Sequence, residues 1–194
     1  MRQADSLFDL AEVMVEEIEP YLLSRELHWP LQLRGPAQGN PTRLSLGALQ
    51  LTLDELESLR PGFTPGQRAR FEDLGSRLER LREKHASAMH RKAQAEHQSR
   101  LRLWQAYLTD LAEGTASGQD FRREVRNRLM GARLAAWATS GSAASAMVEA
   151  SAAQDRRLQA VFRPGPVVLE EHLQIVYPGP AYWYLYGVIR LPEP

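Results

Sequence analysis

Residues 76–113 contain neither glycine nor proline, and Thr109 is the one β-branched residue among them. The rest of that span is built from strong helix formers. A start signal lies just upstream, where Thr64 offers a capping hydroxyl, Pro65 takes the first helical position and Gln67 stands three residues after the cap. The pattern predicts one helix from about 65 to 112, roughly 70 Å long at ~1.5 Å per residue. A compact domain of 194 residues is only about 40–45 Å across. Such a helix must protrude, pair with another long element, or break against its own local preference.

Its apolar stripe is uneven. Phe71, Leu74, Leu78 and Leu81 are well spaced, and Leu101, Trp104, Tyr107, Leu108 and Leu111 resume the stripe. Between them stand alanines and Met89, so the middle is expected to be solvated or to lie against something polar. His85, His90 and His97 fall in this middle. Two metal ligands on one helix face need a spacing of three or four. His90 and His97 share a face but lie about 10.5 Å apart along the axis, too far for one zinc ion with bonds of ~2.0–2.1 Å. The three are expected to be exposed polar side chains, with no metal and no cofactor.

The remaining segments predict a mainly α fold, a single helical domain organised around that long helix. Residues 1–63 form an N-terminal helix and an irregular connection, 64–163 the helical core, and 164–194 an extended, proline- and aromatic-rich strap. In the first helix Leu7, Leu10, Met14, Ile18, Tyr21 and Leu22 make one apolar face, with Asp5 or Ser6 as cap, and Pro20 kinks it or starts a second helix. Residues 28–43 hold three prolines and read as irregular, with a short strand possible at 31–34. Thr52 and Glu55 form a capping-box pattern for a short helix over about 53–60. Further helices follow from Phe121, Val125, Leu129, Ala132 and Ala136, and from Met147, Val148, Leu158, Val161 and Phe162, the last ended by the Arg-Pro-Gly-Pro at 163–166.

Formal charge sums to zero but is separated along the chain. Residues 1–30 carry seven acids against Arg2 and Arg25. Residues 77–133 hold thirteen Lys or Arg against seven acids. Arg77, Arg80, Arg82, Lys84, Arg91, Lys92, Arg100 and Arg102 lie on the long helix, and Arg122, Arg123, Arg126 and Arg128 begin the next one. A rigid basic helix can track phosphates. Interleaved acids, such as Glu96 four residues before Arg100, favour internal pairing instead. The acidic first helix is a candidate partner for the basic surface.

Near the C-terminus, Tyr177, Tyr182, Trp183, Tyr184 and Tyr186 crowd into ten positions, framed by Pro178, Pro180, Pro192 and Pro194. An extended strap would put Tyr182, Tyr184 and Tyr186 on one side and Trp183 on the other. Aromatics gathered this way either meet a partner or latch the chain onto its own helices, and the latch is the expectation because wide exposed apolar patches are uncommon.

The chain lacks cysteine, nucleotide-binding glycine fingerprints, a serine nucleophile elbow and His-Glu-x-x-His. Together with an acidic N-terminus unlike a signal peptide, this fits a cytoplasmic setting. The leading expectation is a non-enzymatic interaction or scaffold protein, self-associating through the long helix, with a homo-oligomer or another protein as partner. A nucleic-acid-associated protein using residues 77–133 comes second, and an enzyme with an unrecognised site third. No membrane association is expected.

Overall fold

The computed structural model describes residues 2–32, 43–138 and 141–190. The fold is mainly helical. Seven α-helices lie among the described residues: α1 Arg2–Glu16, α2 Ile18–Leu23, α3 Leu46–Leu59, α4 Pro65–Lys84, α5 Ala86–Ala112, α6 Phe121–Leu134 and α7 Gly141–Gln159. Two short antiparallel pairs accompany them, β1 Trp29–Pro30 with β2 Arg43–Leu44, and β3 Phe162–Val167 with β4 Tyr186–Ile189. No helix among the described residues is long and apolar enough to cross a membrane.

The predicted long helix is helical nearly throughout, but it breaks at His85, whose φ of −120° and ψ of 24° leave the helical region. Its start is as predicted, with Thr64 accepting from Gln67 N and Gln67 returning the bond to Thr64 N. No local breaker explains the interruption. Tertiary packing does: breaking there lets Leu74 of α4 and Met89 of α5 reach the same core as Phe8, Met14, Ile18 and Tyr21. Glu19 of α2 anchors the joint, 2.9 Å from Lys84 Nζ and 3.2 Å from His85 Nε2.

Beyond the break α5 runs 27 residues, about 40 Å by the helical rise. Its front half enters that first core and its back half, from Trp104 to Leu111, enters a second with Phe121, Val125, Leu129, Leu158, Tyr177 and Tyr184. The thin middle of the stripe lies against polar groups. Glu96 is fully buried and accepts from Ser45 Oγ at 2.7 Å and Gly47 N at 3.1 Å. These bonds hold the start of α3, where the helix dipole also favours a carboxylate.

That contact moves the start of α3 well ahead of the predicted position. Ser45 is the cap, accepting from Ala48 N, while Thr52 sits inside the helix and donates to Ala48 O at 3.0 Å. The first helix also starts earlier than expected, at Arg2, and stops at Glu16, the residue whose carbonyl the ring of Pro20 would meet. In α7 Met147 and Leu158 are buried as predicted, but Val148 is exposed. The possible strand over 31–34 and Pro192 and Pro194 fall wholly or partly outside the described residues.

The C-terminal strap is more regular than predicted. Arg163–Pro166 lies within β3 instead of ending a helix, and the segment carries 3-10 turns at Glu171–Ile175 and Trp183–Leu185. Prolines in β3 are tolerated because the sheet has two strands and a register shift between Pro164 and Val167. Gly187 is required for the pairing, since a Cβ there would collide with Arg163 O and the Phe162 ring.

Candidate functional site

Most of the basic side chains are drawn into contacts within the chain. Arg77 lies 4.0 Å from both Glu16 and Asp73, and Lys84 pairs with Glu19, so α1 and α2 do supply acids to α4. The hydrogen bond from Lys84 holds the Glu19 carboxyl below its ordinary pKa. Arg82 donates to Ala136 O at 2.8 Å. Lys92 is buried over the Tyr21 ring and donates to Glu26 O, and burial lowers its pKa. Arg100 pairs with Glu96 at 3.2 Å and Arg123 with Glu124 at 2.8 Å. Arg128 makes two bonds to Asp155, at 2.7 and 2.8 Å, and covers the Tyr184 ring. Arg80, Arg91 and Arg102 stay at exposed positions. The twelve are therefore not brought together as one uncompensated face.

The aromatic run lies against its own helices. Tyr177 and Tyr184 are buried, at 2% and 1% exposure, while Tyr182, Trp183 and Tyr186 are half-buried. Alternation fails here because 183–185 is a turn of 3-10 helix, so Tyr184 faces inward between neighbours that do not face the opposite way as a set. Tyr177 Oη donates to Asp54 Oδ2 at 2.8 Å, and burial first, then the Asp54 charge, raises its pKa. Asp54 also accepts from Arg133 Nε and Nη2, both at 2.8 Å, and from Gln50 Nε2 at 2.9 Å. This hub ties α3, α6 and the C-terminal segment together. Nothing in the spacing of Asp54, Arg133 and Tyr177 announces it.

His97 is a correction. Expected at the surface, it is 3% exposed, with Nε2 3.2 Å from Ser151 Oγ. The serine donates to Met147 O at 3.1 Å, which commits its proton away from the ring. Among the described residues no carboxylate orients the imidazole, and the cleft of about 200 Å³ that His97 lines does not reach Ser151, so this serine and histidine hold α5 to α7 and do not resemble an activated nucleophile. His85 and His90 are half-buried instead of exposed. Among the described residues no group of three His, Cys, Asp or Glu is placed to hold a metal ion.

Burial lowers the His97 pKa, with Arg128 adding to the effect and the Met147 carbonyl opposing it. The unfolded chain therefore binds more protons than the folded one below about 6.5, the ordinary histidine value. Stability should be full above that pH and decline as pH falls toward the lowered folded value. His28, lowered chiefly by burial, acts with the same sign. Urea midpoints measured on both sides of the ordinary value should differ less in His97→Gln than in the wild type. An unchanged difference would show that His97 is not the group responsible.

Two clefts lie on either side of the 171–175 turn, which rests across α3. On one flank is an open cleft of about 580 Å³, walled by Ile175 and Val176 and by Glu57, Arg60, Pro61 and Arg68 at the α3–α4 corner. Arg60 pairs with Glu57 at 3.2 Å, and Arg68 Nε donates to Phe63 O at 3.2 Å. On the other flank is a smaller, more enclosed cleft of about 230 Å³. Its apolar lining comes from Leu51, Leu129, Leu169, Leu173 and Tyr177. Its polar lips are Arg126 with Glu170, and Gln3 with Glu55. Burial acts to raise the Glu170 pKa, but its own backbone N–H and the two arginines Arg126 and Arg122 hold it below the ordinary value.

Neither cleft was anticipated, because the residues lining each come from distant parts of the chain. No protein-family model, no curated protein and no solved structure matches the sequence or the fold.

Proposed function

We propose that this protein works by binding, as a non-enzymatic helical interaction module that docks a partner in the cleft beside Ile175. One observation supports this above the rest: Ile175 is 67% exposed on the wall of that cleft, opposite Arg60 and Arg68. Apolar surface left in water forgoes about 25 cal/mol per Å². Glu57 neutralises one of the two arginines, leaving a positive charge beside the aliphatic wall. The chemistry fits a segment that presents an aliphatic side chain next to a carboxylate.

A second copy of the chain is the partner to try first. The seam expected for it, the long helix, is a poor surface: Met89, Trp104, Tyr107, Leu108 and Leu111 are buried by the chain's own helices. The docking face therefore moves to the turn. Nucleic-acid binding receives less support, because phosphate affinity grows with cations free to displace counterions and most of these are paired. Light scattering over a hundredfold concentration range should show mass above the monomer, and Ile175→Asp should return it to the monomer. A wild type that stays monomeric throughout overturns self-association; an assembly insensitive to Ile175→Asp overturns the cleft as its seat.

A further inference from the structure

The charges that line the smaller cleft are unequally matched. Arg126 lies 3.4 Å from Glu170, and Arg122 reaches the same carboxylate at 3.1 Å, so no anion is left unpaired on that lip. Glu55 is different. It is half-buried, no cation among the described residues pairs with it, and its bond from Gln3 Nε2 is a long one, 3.5 Å. Leu51 precedes Glu55 by four residues on α3, so the two share one helix face, with Cβ atoms about 5–6 Å apart. Both line the cleft, and Leu129, Leu169, Leu173 and Tyr177 complete its apolar wall.

We propose that this cleft binds a small primary amine with one apolar tail, its ammonium on Glu55 and its tail over Leu51 and the rest of the leucine lining. The ammonium is the ordinary form of such an amine at neutral pH. It supplies the cation that Glu55 lacks and breaks no pair within the chain. A carboxylate would have to take Arg126 from Glu170, and it would share the cleft with the Glu55 charge. A neutral compound would cover Glu55 without replacing the water it loses. Size sets the tail. Counting ~30 Å³ for each methylene, near the share of a water molecule in the liquid, a cleft of about 230 Å³ holds roughly seven. A lysine side chain offers the same ammonium but carries amide groups at its other end, where the lining is apolar. The inference stands apart from the docking of a partner beside Ile175.

Calorimetric titration with n-hexylamine at neutral pH tests it, against hexanoate and n-hexanol as chains of the same length with the opposite charge or none. Hexylamine should bind saturably, and the other two at least about tenfold more weakly, as expected for the loss of a charge-assisted hydrogen bond. From butylamine to heptylamine the affinity should rise about fourfold for each methylene buried, and it should level off beyond. Nα-acetyl-lysine methylamide should bind more weakly than hexylamine; equal affinity would give the cleft to a lysine side chain of another protein instead. Glu55→Gln keeps an acceptor for Gln3 and should melt like the wild type, yet lose the preference for hexylamine over n-hexanol. The proposal fails if hexylamine does not bind at millimolar concentration, if hexanoate binds as tightly, or if Glu55→Gln keeps the preference. Ile175→Asp should leave hexylamine binding intact, which separates this outcome from that of the docking test.

Discussion

Replacing Asp54 by alanine should destabilise the fold by about 3–5 kcal/mol, the usual effect of removing one partner from a buried ion pair. Asp54 is 5% exposed and accepts four hydrogen bonds, two from Arg133, one from Tyr177 and one from Gln50. Arg133 is partly exposed, so water recovers some of its loss. Tyr177 is not, and its hydroxyl would stay buried without an acceptor. At about 2–4 °C per kcal/mol for a chain of this size, the melting temperature should drop by about 6–20 °C. Asp54→Asn should fall between, since it keeps an acceptor for Tyr177 but loses the charge. The double variant Asp54→Leu, Arg133→Met should be more stable than Asp54→Ala, because it leaves no unpaired guanidinium. Equal melting of Asp54→Ala and wild type would mean that the hub contributes nothing.

This hub marks the limit of what the chain discloses in one dimension. Signals carried by adjacent residues were legible: the Thr64–Gln67 cap, the interruption ahead of Pro20, and the apolar faces through Met14 and Ile18 and through Phe121, Val125 and Leu129. They are legible because cap geometry and helical period depend on neighbours within a turn or two. The break at His85 was not, since its cause is the packing of Leu74 and Met89 into one core and the hold of Glu19 on a stretch that would locally continue as helix. The same holds for Ser45 as the cap of α3. Its hydroxyl is a cap signal no stronger than that of Thr52, and the choice is made by Glu96, 51 residues away. Histidine position misled for a related reason: His97 looks polar in a polar stretch, yet Ser151 and the Met147 carbonyl of α7 make its burial possible. The clefts were beyond reach altogether. Each is a space between elements, and no periodicity or spacing encodes a space.

The aromatic run divides into side chains that hold the fold by their rings and side chains that hold it by their hydroxyls, and substitution should separate them. Tyr184 is 1% exposed, its ring lies 4.5 Å beneath the Arg128 guanidinium, and its hydroxyl is buried with no hydrogen-bond partner among the described residues. Tyr184→Ala removes a large core ring and should destabilise by about 3–5 kcal/mol, the range for large aromatic deletions. Tyr184→Phe keeps the ring and its contact with Arg128 while removing a hydroxyl whose burial is unfavourable when unpaired. It should leave stability unchanged or raise it by up to about 1 kcal/mol. Tyr177→Phe should behave differently, because it takes a bond from the buried Asp54 carboxylate and should weaken the fold by about 1–3 kcal/mol. Denaturant midpoints should therefore fall in the order Tyr184→Phe, Tyr177→Phe, Tyr184→Ala, from most to least stable, with similar slopes. A Tyr184→Phe variant as unstable as Tyr177→Phe would show that the Tyr184 hydroxyl contributes to stability. A Tyr184→Ala variant that melts like the wild type would show that the run does not latch the helices.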